Sequence, residues 1–442
     1  MKKTVSNWPK FHASTWYREQ LGPCPASAPP RGRVSTGTVV VGAGLAGLAT
    51  AISLAERGVT DIVILERGEA GEGASGRNGG FVFAGFSLHP ERLASQRGAE
   101  AARRMHRWTR ESVGLVAERC RQLGVETSGQ GVLLADWFGD DEALADYRSR
   151  MRDLLDFDLE WVARDRMADW VRSARYGSGL LEPGSFHFNP RACAQAMAGR
   201  LLEMGVRLHT GTPAAAIEPA GGRWRVSAPE AEFVADRVVI ATGGYERRLV
   251  PRAHRSVQPI ATYIVVTERL GERLDTVMPG NAAIYDTRFA FDYFRKLADG
   301  RLLWGGRIST ADRNPDAVRR LMRRDLARVF PDLADVRFEY AWGGWMSYAR
   351  HQMPILGEFE PGLWLALAFG GHGMAPTTLA GEVLAEALTG NSDRLAAFGA
   401  YGPAWAGGAA GRAVVQGVYW WKQFRDRLRA AAGGRTGPGR YA

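Results

Sequence analysis

Thr38-Val-Val-Val41 runs into Gly42-Ala-Gly44-Leu-Ala-Gly47, continues as a helix-forming stretch to Glu56 and returns as Asp61-Ile-Val-Ile-Leu-Glu66. No other stretch constrains the fold so tightly. Val39 to Val41 is the β-branched run of a buried parallel strand. Gly42 permits a tight turn, Gly44 lets backbone approach a pyrophosphate, and Gly47 lets the next helix pack closely on the strand. Leu45 and Ala46 open that helix, whose free N–H groups and positive dipole end point at the phosphates. Glu66 closes the second strand 19 residues after Gly47, where a carboxylate accepts hydrogen bonds from both ribose hydroxyls. A bare Gly-x-Gly-x-x-Gly is weak. With a strand before, a helix after and an acid at this spacing it becomes a dinucleotide-binding unit.

The residues after Glu66 decide between dinucleotides. Glu66-Arg67-Gly68 leads into Gly71-Glu-Gly73-Ala74-Ser75-Gly76-Arg77-Asn78-Gly79-Gly80, five glycines in ten residues. A nicotinamide enzyme would continue into another βαβ unit. A glycine-rich loop suits a backbone lying flat against a large planar ring and its pyrophosphate, which points to FAD. Ser75 and Arg77 supply a hydroxyl and a charge there. Phe81-Val-Phe83 follows at once, which argues against a flexible linker.

Ser75 to Gly80 after such a unit resembles the FAD-dependent D-amino-acid-oxidase superfamily, most of all the branch containing gamma-glutamylputrescine oxidase. Trp16-Tyr17, Gly73 to Gly80, Gly300 to Gly306 and Gly371-His372-Gly373 match that branch, so the resemblance covers about the whole chain. It implies an α/β fold: a Rossmann-like FAD-binding lobe plus an α+β substrate lobe whose antiparallel sheet roofs the flavin. It also implies that the strand ending Ala241-Thr242-Gly243 reaches the dinucleotide and that backbone near Ala214 meets the adenine. Some relatives carry flavin on a Cys or His. No cysteine of this chain lies in a flavin-facing motif and the glycine-rich loop holds no His, so FAD is expected to be non-covalent. Sarcosine-oxidase-like members have a carboxylate-binding Lys two residues after the His-Gly pair. Ala375 stands there, so N-methylglycine held in that way is not expected.

A chain of 442 residues with 45% hydrophobic and 24% charged residues is an ordinary globular protein, large enough for two lobes. Cys24, Cys120 and Cys193 are far apart and match no metal or disulfide spacing, which suggests a reducing compartment and no metal. Trp8-Pro-Lys10 and His12 interrupt any secretory apolar stretch, and the glycines between Thr38 and Ala55 exclude a membrane span there, so a cytoplasmic location is expected. The net charge of +10 comes from dispersed arginines without basic–aromatic interleaving. It points away from nucleic acid and toward an anionic substrate.

By pattern, 1–33 is an arm, 34–90, 190–250 and 346–390 the FAD-binding domain, 91–189 and 251–345 the substrate domain, and 391–442 a tail. One amphipathic helix is expected from Pro90 to about Leu123, helical material around Trp137, Trp161 and Trp170, and a helix from Asn189-Pro190 through Leu202. Strands are expected at Thr212–Ile217 and Leu363–Ala368, with several antiparallel ones between 250 and 345. Helices are expected at Thr377–Leu388 and in the basic tail, ending at Gly433-Gly434.

The expected chemistry is hydride removal from a small molecule by the flavin itself. Gly371-His372-Gly373-Met374 precedes the last Rossmann helix, so its N–H groups and dipole can face charge developing on the ring, with His372 adding a hydrogen bond. Arg77 would lie beside flavin or pyrophosphate. Tyr263, Tyr293 and Trp304 on roofing strands could cage an amine. Arg307 or Arg350 could pair with an anionic end. The expectation is therefore an amine oxidase of EC 1.4 or 1.5 type, taking hydride from a C–N bond. The imine would hydrolyse to aldehyde and amine, O2 would become H2O2, and the resemblance implies a substrate such as a gamma-glutamyl-amine. The alternatives are oxidation of an N-methyl amino acid or aminophosphonate, or electron transfer to a quinone.

Overall fold

The computed structural model describes residues 14–246 and 248–431. Residues 1–13 of the expected arm and Gly433-Gly434 lie outside the described residues. Two eight-stranded sheets organise the chain. In the first, Gly32–Val41 runs between two parallel neighbours, with Val39 opposite Val63 of Ile62–Leu65 and opposite Val238 of Ala231–Ile240. Val39, Val40, Val63, Ile64, Val238 and Val239 are fully buried. Cover on both faces of a parallel sheet explains why these strands are apolar without alternation. Arg207–His209 and Leu363–Leu367 extend it in parallel. Ala216–Ala220 and Arg223–Ser227 form a hairpin at its edge, so the strand expected at Thr212–Ile217 begins later.

The second sheet runs in the order Phe338–Ala349, Val257–Thr267, Leu302–Ser309, Asp292–Lys296, Ala283–Asp286, Val132–Ala135, Gly179–Glu182, Glu160–Val162. It is antiparallel throughout except where Ala283–Asp286 meets Val132–Ala135. One face packs against the helix Pro315–Val329. The other faces the first sheet's helices across a cavity.

Two expectations are corrected. The long helix from Pro90 divides into Pro90–Arg97 and Ala99–Gln122, because Gly98 takes a left-handed φ of 87° that ends the first helix. The region of Trp137, Trp161 and Trp170 is not wholly helical. It contributes three strands to the second sheet, the helix Asp141–Leu155 and the short 3-10 helix Arg164–Asp169 beside Trp170, because the buried runs Val132–Ala135 and Gly179–Leu181 complete that sheet.

Asn189 caps Pro190–Glu203 through hydrogen bonds from Arg191 and Ala192 N–H at 3.1 Å, with Pro190 in the first turn as expected. The last helix, Gly408–Ala431, closes over the cavity. Gln416 accepts from Thr310 N–H at 2.9 Å, Asp426 from Phe289 N–H at 2.9 Å, and Arg429 pairs with Asp140 at 2.7 Å. This helix leaves Trp420, Trp421, Phe424 and Leu428 exposed, while Val414 and Val418 border the cavity. Among the described residues no helix is long and apolar enough to cross a membrane.

Candidate active site

The fingerprint turn is built as its glycines require. A Cβ on Gly42, whose φ is 107°, would lie 2.7 Å from the Ala241 carbonyl, and one on Gly47 only 2.0 Å from the Gly42 carbonyl. The N-cap residue of Leu45–Glu56, Gly44, gives no side-chain cap, and Ser75 Oγ accepts only the Leu45 N–H, at 2.9 Å. Each Glu66 oxygen accepts one backbone N–H, from Ala43 and from Gly68, both at 2.8 Å. A carboxylate offers about four lone-pair sites, so capacity remains for ribose hydroxyls. Burial raises its pKa against these two hydrogen bonds.

The glycine-rich loop is knotted by Asn78. Its Nδ2 donates to the Ala74 and Ser75 carbonyls at 3.0 and 2.9 Å, and its Oδ1 accepts from Gly80 N–H at 2.8 Å. Tyr17 donates to the Asn78 carbonyl at 3.0 Å, and Arg295 to the Gly79 carbonyl at 2.6 Å. Arg77, nearly buried, donates to the Glu72 carbonyl at 2.9 Å, and its own carbonyl accepts from Trp342. Tyr17 and Arg295 thus hold the loop from outside. Only the first stands in a motif legible in the sequence.

A cavity of about 770 Å³ lies between the sheets. Its lining includes Gly44, Leu45, Ala46, Ala74, Ser75, Arg77, Asn78, Gly79, Gly243, Gly371, His372, Gly373 and Met374. Gly42, Gly47, Glu66, Arg67, Gly73, Gly80, Ala214 and Thr242 stand outside that lining. Of these, Ala214 packs on the first sheet's core and Thr242 Oγ1 lies 3.0 Å from His254 Nε2. Met374–Leu388, like Leu45–Glu56, begins without a side-chain cap, and both starts border the cavity. Two helix starts with N–H groups left open, a backbone-lined loop and a half-satisfied carboxylate acceptor make a set of partners that fits FAD. Leu45–Glu56 and Glu66 would hold the pyrophosphate and ribose, and the loop and Gly371–Met374 the ring.

The expected catalytic residues divide. His372, Tyr293, Arg307 and Arg350 line the cavity. Tyr263 and Trp304 do not, which corrects the expected cage. A Cβ on Gly305 would strike the Tyr293 ring, so Trp304, one residue earlier, faces the opposite side of the sheet. There it stacks on Phe294 at 4.7 Å, fully buried, while Tyr263 donates its hydroxyl to the Ala311 carbonyl. The rings that meet in the cavity are Phe81, Phe83, Tyr285, Phe291 and Tyr293, in a chain of centroid distances of 5.6 to 6.2 Å.

Arg307 borders the cavity, but its guanidinium is bound in two hydrogen bonds to Asp325. Arg350 is exposed at the cavity's edge. His372 packs 4.6 Å from Phe83, and burial lowers its pKa to about 4, so the imidazole is neutral at ordinary pH. The N–H groups of Gly371 and His372 both donate to Ser87 Oγ, at 3.0 and 3.3 Å.

Sequence reasoning missed five cavity residues with charge: Arg92, Glu182, Asp286, Arg288 and Lys422. Arg288 joins Asp286 and Asp292, each at 2.5 Å, and lies 3.7 Å over the Trp137 ring. Burial raises the Asp292 pKa to about 7 despite Arg288. Arg92 and Lys422 come from helices on either side of the mouth. Glu182 ends its strand among apolar residues. The run Gly-Leu-Leu-Glu182 held a signal, an acid at the close of a buried strand; the others had none.

A family model described as FAD dependent oxidoreductase matches residues 38–387. The gamma-glutamylputrescine oxidoreductase of Escherichia coli is 30% identical over 81% of this chain and 85% of its own. A probable oxidoreductase OrdL of Rhizobium meliloti is 29% identical over 94% and 97%. Among solved structures, glycine oxidase from Geobacillus kaustophilus superposes with a TM-score of 0.69 at 20% identity, over 84% of this chain and 99% of that one. L-proline dehydrogenase from P. horikoshii gives 0.70 at 17%, over 84% and 97%. These two likenesses support the fold. With the family model spanning most of the chain and a set of partners that fits its cofactor, the protein belongs to the FAD-dependent oxidoreductases of the D-amino-acid-oxidase family.

Proposed function

We propose that the protein oxidises the C–N bond of a small amine that carries an anionic group several bonds from the reacting nitrogen. The observation that carries this reading is the cavity's division into an aromatic chamber beside the FAD cradle and a cationic mouth. Bound FAD would supply the redox chemistry, as acceptor of a hydride from the carbon bearing nitrogen; O2 would take up the two electrons as H2O2, and the imine would hydrolyse to aldehyde and free amine.

Phe83, Tyr285 and Tyr293 exclude water from the reacting end and favour the neutral amine, the form able to give up hydride. His372, neutral itself, leaves no fixed positive charge there. At the mouth, Arg92, Arg350 and Lys422 line the cavity without a carboxylate partner among the described residues. Lys422 Nζ rests 4.1 Å over the Phe289 ring. Burial, then Arg425 and Arg92, hold its pKa below the lysine range, opposed by Asp426. A carboxylate placed among these cations relieves their mutual repulsion. The name of the Escherichia coli relative supports a gamma-glutamyl-amine as such a substrate.

The test is anaerobic mixing of the FAD-loaded protein with amines that differ only in a distal carboxylate. Loss of visible flavin absorbance, fastest with the acidic member, is expected. No bleaching by any amine overturns the reading. A quinone acceptor is favoured by one observation, the outward apolar face of Gly408–Ala431 flanked by Arg425 and Arg427, which suits a membrane surface. Oxygen consumption during turnover decides against it.

A further inference from the structure

We propose that Glu182 binds a second, unreacting ammonium group of the substrate, in an arm of the cavity beyond the aromatic chamber. This deepens the amine-oxidation reading and rests on it. Only two carboxylates, Asp286 and Glu182, line the cavity among its described residues. Asp286 is neutralised by Arg288. Glu182 has one hydrogen bond, its Oε1 accepting from Ala84 N–H at 3.0 Å, and no ion-pair partner among the described residues.

Only one positive charge is felt at Glu182, that of Arg110, which opposes the effect of burial without forming an ion pair among the described residues. From Ala99–Gln122, Arg110 donates to the Asp156 carbonyl at 3.1 Å and lies over the Phe157 ring, so its charge acts on Glu182 from a distance and not as a salt-bridge partner. His106 on the same helix is held neutral, its pKa lowered to about 3 by burial and Arg110. Asp141–Leu155 presents Tyr147, and Ala283–Asp286 presents Tyr285. Both phenols are raised by burial and stay protonated. Leu134, Met151, Leu155 and Leu180 complete an apolar wall.

A lone carboxylate with Tyr147 near it in an apolar arm has the chemistry of an ammonium receptor. The anion takes the charge, and the Tyr147 ring face favours the rest of the ammonium group. The arm is not the reacting end. Phe83 separates His372 from Tyr285, and the strand of Glu182 lies two places beyond that of Tyr285 in the sheet, about 10 Å at ordinary strand spacing. A nitrogen at Glu182 is therefore on the same molecule as the reacting C–N bond but several bonds away.

The test compares 1,8-diaminooctane with octylamine by anaerobic titration calorimetry on the FAD-loaded protein at pH 8, for the unaltered chain and for Glu182→Gln. The unaltered protein should bind the diamine at least about tenfold more tightly, a difference of about 1.4 kcal/mol. The variant should bring the two within about twofold while keeping its FAD. An unaltered protein without preference, or a variant that retains the full ratio, overturns the proposal. Calorimetry needs no turnover, so the outcome is separate from flavin bleaching, on which the amine-oxidation reading stands or falls.

Discussion

Arg307 on the second sheet donates to both oxygens of Asp325 on the helix behind it, with Nε to Oδ2 at 2.7 Å. The Asp325 side chain is 1% exposed, and Arg307 takes a left-handed φ of 55° to reach it. The arginine expected to meet a substrate anion therefore joins sheet to helix. Burial lowers its pKa, but the hydrogen bonds and charge of Asp325 together with the charge of Asp292 raise it above the ordinary value.

Arg307→Met leaves Asp325 buried with only the longer contact to Arg328 at 3.8 Å. It should cost about 3–5 kcal/mol of stability, the range for breaking one side of a buried ion pair. Denaturant unfolding measures this. Activities toward acidic and neutral amines should fall together in whatever folds; a selective loss of the acidic amine would restore Arg307 to the substrate.

Lys422→Met and Arg350→Met should raise KM for an amine with a distal carboxylate and leave its uncharged analogue nearly unchanged. The loss should be about 1.5–3 kcal/mol for half-buried Lys422, the range for hydrogen bonds to charged groups. It should be smaller for exposed Arg350, where solvent screens the pair. Matched kcat/KM values for the two amines check both.

Glu66→Ala should weaken FAD binding by about 1–3 kcal/mol, read as fluorescence of released flavin on dilution. It also frees the Ala43 and Gly68 N–H groups, so Glu66→Gln, which keeps one acceptor oxygen, should lose less. FAD should separate from the denatured chain. Flavin fluorescence migrating with the polypeptide on a gel would show a covalent link.

Burial raises the Glu182 pKa from 4.5 to about 7. The folded chain then holds a proton that the unfolded chain releases, so stability should fall as pH rises from about 4.5 to 7 and stay low above. The difference is roughly 3 kcal/mol. Glu182→Gln cannot ionise and should match the unaltered protein near pH 4 while exceeding it at pH 8, as thermal unfolding at the two pH values will show. Equal stabilities at pH 8 would mean that Glu182 is not held in a desolvated site. His372, already neutral above about pH 4, should add no inflection to a rate profile between pH 5 and 9.

The sequence by itself determined the turn and the glycine-rich loop that would cradle FAD. The reason is local: Gly42 and Gly47 are demanded by contacts a few residues or one strand away, and the strand–turn–helix–strand unit is contiguous from Thr38 to Glu66. Asn78 likewise closes its own loop through neighbours two to four residues off. Tertiary structure alone decided which side chains face the cavity. Register shifts between Thr262 and Tyr263, so alternation read along one strand does not say which face meets the flavin. Tyr263 and Trp304 went to the core while Phe83 met Tyr285 and Phe291, which stand on one distant hairpin. Charge followed the same rule. An arginine's partner depends on which carboxylate the packing brings near. Glu182 became a buried acid only because two helices from other parts of the chain close over the end of its strand.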